Sequence, residues 1–81
     1  MEISTINKDI LKFITDNLIS SDINLTEDTL LRDIGIDSYS IVEIILFIER
    51  KYGLVIPDEN LVPENFKTVN ALSEVVNVLL K

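Results

Sequence analysis

Apolar side chains recur at three- and four-residue steps near both ends of the chain, the spacing that lines one face of an α-helix. In the first segment, between Ile3 and Ile19, the repeating positions are Ile3, Ile6, Ile10, Phe13 and Ile14. In the last segment they are Val69, Leu72, Val75, Val76, Leu79 and Leu80. Ser4 or Thr5 is expected to cap the first helix, and Thr68 the last.

The central segment, Ser38 to Tyr52, is rich in β-branched residues but is too long for a typical strand. On a helical wheel one face is formed by Ile41, Ile44, Ile45, Ile48 and Tyr52. The opposite face is formed by Tyr39, Glu43 and Arg50. Asp37 can cap the start of this helix, and Gly53 can end it.

The two remaining segments are a long loop and a proline-containing stretch. Pro57 and Pro63 each interrupt a helix across 54–67, but Pro63 can open a short helical turn over Glu64 to Phe66. The loop from Ser20 to Asp37 needs apolar anchors to be tied down. The expected anchors are Leu25, Leu30, Leu31, Ile34 and Ile36. We therefore predict an all-α fold, a single domain over 1–81 that is a small four-helix bundle of three longer helices and one short third helix.

Composition excludes several classes of function. The chain has no Cys and no His, which removes imidazole-assisted nucleophilic sites and thiolate or imidazole metal sites, so we expect neither an enzyme nor a metal site. The net charge of −7 disfavours nucleic acid as a partner. The longest apolar run, Ile44 to Ile48, is far too short to span a bilayer, and the first residues do not form a secretory signal. These features predict a cytoplasmic monomer without membrane insertion.

The chemistry that remains possible centres on one serine. The sequence Asp33-Ile34-Gly35-Ile36-Asp37-Ser38 delivers Ser38 from an acidic loop to the first turn of the central helix. The first N–H groups of a helix have no internal partner and carry a partial positive charge, so a phosphate on Ser38 would be stabilised there. A chain without Cys or His cannot itself supply a thiol or an imidazole base, so any reactive group has to be attached.

Gly35-Ile36-Asp37-Ser38, followed by apolar residues at helical spacing, resembles the attachment motif of the acyl and peptidyl carrier proteins. The resemblance extends over essentially the whole chain and includes the Ile56-Pro57 step. It implies that Ser38 carries 4′-phosphopantetheine, which a magnesium-using phosphopantetheinyl transferase takes from coenzyme A. It also assigns Gly35 and Asp37 to the cofactor-binding motif and places Asp37 in contact with the transferase and its magnesium. Simple N-capping is the alternative role for Asp37.

The resemblance also assigns acidic partner-binding positions to Glu43 and Glu49. Beside them, Tyr39, Val42 and Leu46 lie away from the apolar stripe and form a candidate docking face. The alternative for these three side chains is packing against the long loop or the short third helix.

Two departures from the family pattern point to a specialised carrier. Tyr39 stands where leucine usually follows the serine, and Arg50 and Lys51 make the central helix neutral, whereas fatty-acid carriers have an acidic one. We therefore predict a free-standing carrier that holds an acyl or aminoacyl thioester for a dedicated pathway rather than for general fatty-acid synthesis. Its expected partners are the transferase and acyl- or aminoacyl-loading and processing enzymes. The alternative is an unmodified protein-interaction helical bundle with the same scaffold.

Overall fold

The computed structural model describes residues 2–20 and 22–81, and three α-helices form its frame. They are Ile3–Asn17 (α1), Ser38–Tyr52 (α2) and Val69–Leu79 (α3). Between them lie three 3₁₀ helices, Leu31–Ile34, Asp58–Asn60 and Pro63–Phe66. The described residues contain no strand, which confirms the predicted all-α class. None of these helices is long and apolar enough to cross a membrane.

The predicted count of four α-helices is not confirmed, because the segment between α2 and α3 forms two short 3₁₀ helices instead of one short α-helix. Pro57 precedes the first of them, and Pro63 is the first residue of the second, as the sequence indicated. Pro63 lacks the N–H that an α-helix continuing from Asp58 would need, so the two short helices cannot join into one.

The helix ends show which caps were correctly predicted. The Asp37 side chain accepts a hydrogen bond from Ser40 N, and Thr68 accepts one from Ala71 N. Gly53 ends α2 with a left-handed φ of 64°, which glycine adopts without strain. The predicted Ser4 or Thr5 cap for α1 is wrong, because the helix already begins at Ile3 after Glu2.

The core lies where α1 packs against α3, with α2 beside them. Its most deeply buried aliphatic side chains are Ile6, Ile10, Ile14, Leu31, Ile44, Ile48, Val69, Leu72 and Val76. The face predicted for α2 is correct, since Ile44 and Ile48 are fully buried while Ile41, Ile45 and Tyr52 pack against the core and are half-buried.

Aromatic side chains connect α1 to α2 at the edge of this core. The rings of Phe13 and Phe47 stack with their centroids 4.4 Å apart. The Tyr52 hydroxyl donates a 2.6 Å hydrogen bond to Asp9 Oδ2. Burial and the neighbouring carboxylate of Asp9 raise the pKa of the Tyr52 phenol above its usual value. The phenol therefore remains a donor to Asp9 at neutral pH.

The long loop is tied down by some of the predicted anchors. Leu31 is buried, Ile36 is 7% exposed, and Leu25 and Ile34 are half-buried against the core. Leu30 is 37% exposed, so its assignment as an anchor is wrong. The Leu31–Ile34 helix turns the backbone so that adjacent side chains point in different directions, and only Leu31 of the Leu30-Leu31 pair reaches the core.

Candidate functional site

Ser38 is the first residue of α2 and is exposed to solvent. It follows Asp37, whose extended backbone and side-chain cap fix the point where the helix begins. Asp37 Oδ1 accepts the Ser40 N–H at 2.9 Å. The cap therefore places the Ser38 side chain at the positive end of the helix, accessible from outside.

Gly35 acts through its backbone conformation. It follows the Leu31–Ile34 helix with φ of 86°, in the left-handed region where a side chain would be strained. This turn lets Ile36 N donate to Leu31 O at 3.1 Å and directs the Ile36 side chain into the core. Gly35 is not among the residues that line the groove beside Ser38. Its role in the described structure is thus to aim the loop at the start of α2.

An open groove of about 570 Å³ lies beside Ser38, between the start of α2 and two of the 3₁₀ helices. Its apolar walls are Leu30, Leu31, Ile36, Ile41, Pro63 and Phe66. Its polar lining consists of Arg32, Asp37, Ser38 and Lys67. A flexible group attached to Ser38 could therefore follow a surface that is mostly apolar and also includes charged residues.

Hydrogen bonding stabilises the charged form of Asp37. The Ser40 N–H is the largest cause that lowers the pKa of this carboxyl below its usual value. Because the folded-state pKa is the lower one, the stabilisation is present above the unfolded pKa and is lost as the pH falls through the folded pKa. Asp37 therefore serves as an ionised cap at neutral pH.

This cap can be tested with two variants at one position. Asp37→Ala should lower the melting temperature by a few degrees at neutral pH, because the Ser40 N–H loses its partner. The melting temperature of Asp37→Asn should stay close to that of wild type at neutral pH, because asparagine caps a helix about as well as aspartate. On acidification to about pH 3, this variant should lose less stability than wild type, because asparagine does not titrate. Thermal unfolding followed by circular dichroism at both pH values checks this. Equal melting temperatures for wild type and Asp37→Ala would contradict the capping role.

The candidate docking face is exposed on α2. Tyr39, Val42 and Leu46 are 71%, 53% and 43% exposed, so they are not packed beneath the long loop or the 3₁₀ helices. They follow one another at helical three- and four-residue steps and form one continuous apolar strip. Glu43 is half-buried in the same helix. The structure thus brings these four residues together on the helix that Ser38 begins.

Glu49 has a structural contact that the sequence did not indicate. Its Oε2 accepts a 3.0 Å hydrogen bond from Ile56 N, and its backbone oxygen accepts one from Leu54 N at 3.2 Å. Both bonds hold the chain where it turns away from the end of α2. Its carboxylate is therefore engaged within the protein, which separates it from the other proposed partner-binding residues.

Arg32 and Lys67 are the groove residues that sequence reasoning did not assign to the site. Arg32 is the one basic residue of the acidic 22–37 loop, which is a weak signal that could have singled it out. Lys67 lies far away in the sequence and reaches the groove because Leu31 N donates to its backbone oxygen at 2.9 Å. No local pattern predicts that contact.

Known proteins match this chain over most of its length. The sequence model of the phosphopantetheine attachment site family matches residues 8–76. Aminoacyl carrier protein 2 of Bradyrhizobium diazoefficiens is 35% identical over 60 residues, which are 74% of this chain and 65% of that protein. An acyl carrier protein of Clostridium perfringens is 38% identical over 66 residues, which are 80% of this chain and 84% of that protein.

Two solved structures share the fold. One is the crystal structure of a Bradyrhizobium japonicum glycine:[carrier protein] ligase complexed with glycylated carrier protein. The match has a TM-score of 0.72 and 26% sequence identity, and it covers 90% of this chain and 96% of the matched chain. The other contains the ligase with its cognate carrier protein and an analogue of glycyl adenylate. This match has a TM-score of 0.75 and 26% sequence identity, and it covers 94% of this chain and 96% of the matched chain.

The residues present fit the group that this family carries. An exposed serine hydroxyl at the start of a helix suits a phosphate ester, and the neighbouring groove suits a flexible arm. Members of this family are carriers rather than catalysts, and 4′-phosphopantetheine is their covalent cofactor. With the family match over residues 8–76 and 38% identity over 80% of the chain to an acyl carrier protein, the chain belongs to the acyl carrier protein family.

Proposed function

We propose that this chain is a carrier that holds an acyl or aminoacyl group as a thioester on 4′-phosphopantetheine attached to Ser38. The observation that carries the proposal is the placement of Ser38, exposed at the first residue of α2 and at the edge of the apolar groove. In a chain without Cys or His, the attached group supplies the thiol that holds the cargo.

The chain's own residues prepare and shelter this attachment. Gly35 turns the loop toward α2, and Asp37 fixes the helix start, so Ser38 is presented to a phosphopantetheinyl transferase in one orientation. We assign to the ionised Asp37 carboxylate a second role, contact with the magnesium of the transferase. The apolar groove walls would keep water from part of the arm and cargo.

Partner enzymes would dock on the exposed strip of α2. Tyr39, Val42 and Leu46 offer apolar area that becomes desolvated in a complex, and Glu43 adds a charge for orientation. Glu49 would contribute less, because its carboxylate already binds Ile56 N.

The protein would act as a monomer in the cytoplasm, and its net charge of −7 favours partners with a basic docking surface.

Similarity to an aminoacyl carrier protein and to carriers bound to a glycine ligase supports an aminoacyl cargo and a dedicated pathway. The neutral charge of α2 and Tyr39 agree with this assignment. General fatty-acid synthesis is the competing assignment, and loading enzymes of the two pathways can be compared directly.

The test begins with wild-type protein treated with coenzyme A, magnesium and a broad-specificity transferase, followed by intact mass. The modified protein is then offered to an amino acid:[carrier protein] ligase with ATP and, in parallel, to a malonyl-loading enzyme. We expect one added arm and faster aminoacyl loading. Faster malonyl loading would place the protein in fatty-acid synthesis, and an unchanged mass would favour the unmodified interaction bundle.

Matched variants test the docking strip in the same assay. Val42→Ser with Leu46→Ser should slow aminoacyl loading by about tenfold, because exposed apolar contacts at the centre of an interface carry much of its binding energy. The control is Val55→Ser with Val78→Ser, since these side chains are 77% and 63% exposed and lie outside α2. Equal rates for the two double variants would contradict docking on this face.

A further inference from the structure

The charge of the groove beside Ser38 is opposite to that of the whole protein. The chain has 14 acidic and seven basic residues, yet the residues that line the groove include two basic ones, Arg32 and Lys67, and one acidic one, Asp37. The Asp37 carboxylate is already bound to Ser40 N. The groove therefore has positive charge available for a bound anion.

The backbone brings both basic residues to this place. Leu31 N donates to the backbone oxygen of Lys67 at 2.9 Å, which joins the residue before Arg32 to the end of the Pro63–Phe66 segment. Ile36 N donates to Leu31 O at 3.1 Å, which returns the loop to Asp37 and Ser38. Segments far apart in sequence thus converge at the groove.

Neither basic side chain is strongly engaged within the protein. Arg32 Nε lies 3.9 Å from Asp33 Oδ1, and the two side chains are 84% and 64% exposed, so this ion pair is weak. Across residues 2–20 and 22–81, Lys67 has no acidic partner within the 4.0 Å limit of an ion pair. Both side chains can therefore turn toward a ligand without breaking a strong ion pair.

An arm on Ser38 brings such a ligand to the groove. Its phosphodiester is an anion placed one residue after the Asp37 carboxylate, and the two like charges repel. A guanidinium and an ammonium would offset that repulsion, and guanidinium groups bind phosphate oxygens with two parallel hydrogen bonds. The positive charge therefore lies in the groove that receives the new negative charge.

We propose that Arg32 and Lys67 bind the phosphodiester of the arm on Ser38 and so hold the arm along the apolar groove. This inference rests on the proposed attachment at Ser38. Its consequence is that the arm and its cargo lie against Leu30, Pro63 and Phe66 for a larger share of the time than a freely moving arm would. The thioester is accordingly less exposed to water.

Nitrogen-15 NMR of the side chains tests the contact directly. Apo protein is compared with protein whose intact mass shows one arm, and the Arg32 Nε–H and Lys67 Nζ resonances are followed. We expect both to shift when the arm is added, while Lys8 and Lys81, which lie outside the groove lining, stay in place. Unshifted Arg32 and Lys67 resonances in fully modified protein would overturn the proposal without affecting the attachment itself.

Cargo could supply an anion as well, and loading separates the two sources. Acetyl-loaded and malonyl-loaded proteins differ in one carboxylate at the far end of the cargo. If the phosphodiester is the ligand, the shifts are complete in the unloaded modified protein and are similar in both loaded forms. Shifts that occur only with malonyl would show that the cations bind cargo, and the proposal would be wrong.

Thioester lifetime gives a second readout with a matched control. In the double variant Arg32→Gln with Lys67→Gln, the acetyl thioester should be hydrolysed about threefold faster than in wild type, because the arm is no longer held in the groove. Lys8→Gln with Lys81→Gln removes the same amount of charge outside the groove and should match wild type. Equal hydrolysis rates for the two double variants would contradict the proposal.

Discussion

Ser38→Ala should keep its unmodified mass after incubation with coenzyme A, magnesium and a broad-specificity transferase, whereas wild type gains one phosphopantetheinyl group. Removing the hydroxyl removes the oxygen that would form the phosphate ester, so we expect complete loss of the modification rather than a slower modification reaction. The measurement is intact mass spectrometry after a reaction that runs to completion for wild type.

Ser40→Ala is the matched control for this result. Ser40 lies in the same first turn of α2, and its backbone N–H, which alanine retains, makes the capping hydrogen bond to Asp37. The Ser40 hydroxyl also helps to lower the pKa of Asp37, but its contribution is smaller than that of the N–H. The variant should therefore fold and gain one arm. A mass gain by Ser38→Ala would place the attachment elsewhere, and loss of modification in both variants would point to a damaged helix start.

Ile44→Ala should have the largest effect on stability, a loss of about 3 kcal/mol in the free energy of unfolding. The Ile44 side chain is 0% exposed in the core face of α2, so truncation leaves a cavity as well as losing buried apolar area. A domain of this size has a total stability on the order of 4–12 kcal/mol, so the loss would be a large fraction of it.

Val42→Ala on the same helix is the comparison. Val42 is 53% exposed, and alanine has the higher helix propensity, so this change should stay within about 0.5 kcal/mol of wild type. Urea unfolding followed by circular dichroism gives both values. If the two variants lost equal stability, the division of α2 into a core face and an exposed face would be wrong.

The helices were predictable because their signals are local. The apolar spacing of Ser38–Tyr52, together with the Asp37 cap and the Gly53 stop, gave both ends of α2 correctly. Thr68 likewise marked the start of α3. The same local signals placed Ser38 at a helix start, which is the structural basis of the attachment proposal.

The features that local signals missed depend on long-range contacts. The positions of Pro57 and Pro63 indicated a short helix between α2 and α3, but they could not distinguish one α-helix from two 3₁₀ helices. The Tyr52–Asp9 hydrogen bond joins residues 43 positions apart, and the approach of Lys67 to the groove depends on its bond to Leu31. Such pairings are set by packing, so no periodicity in the sequence reveals them.

The most direct test of the account is peptide fragmentation mass spectrometry on the protein isolated from the cells that make it. The peptide containing Gly35 to Ser40 offers Ser38, Tyr39 and Ser40 as hydroxyl-bearing sites. We predict that the fragment series locates one phosphopantetheinyl group on Ser38. An arm on Ser40 or Tyr39, or a protein that carries no arm in cells, would contradict the central claim.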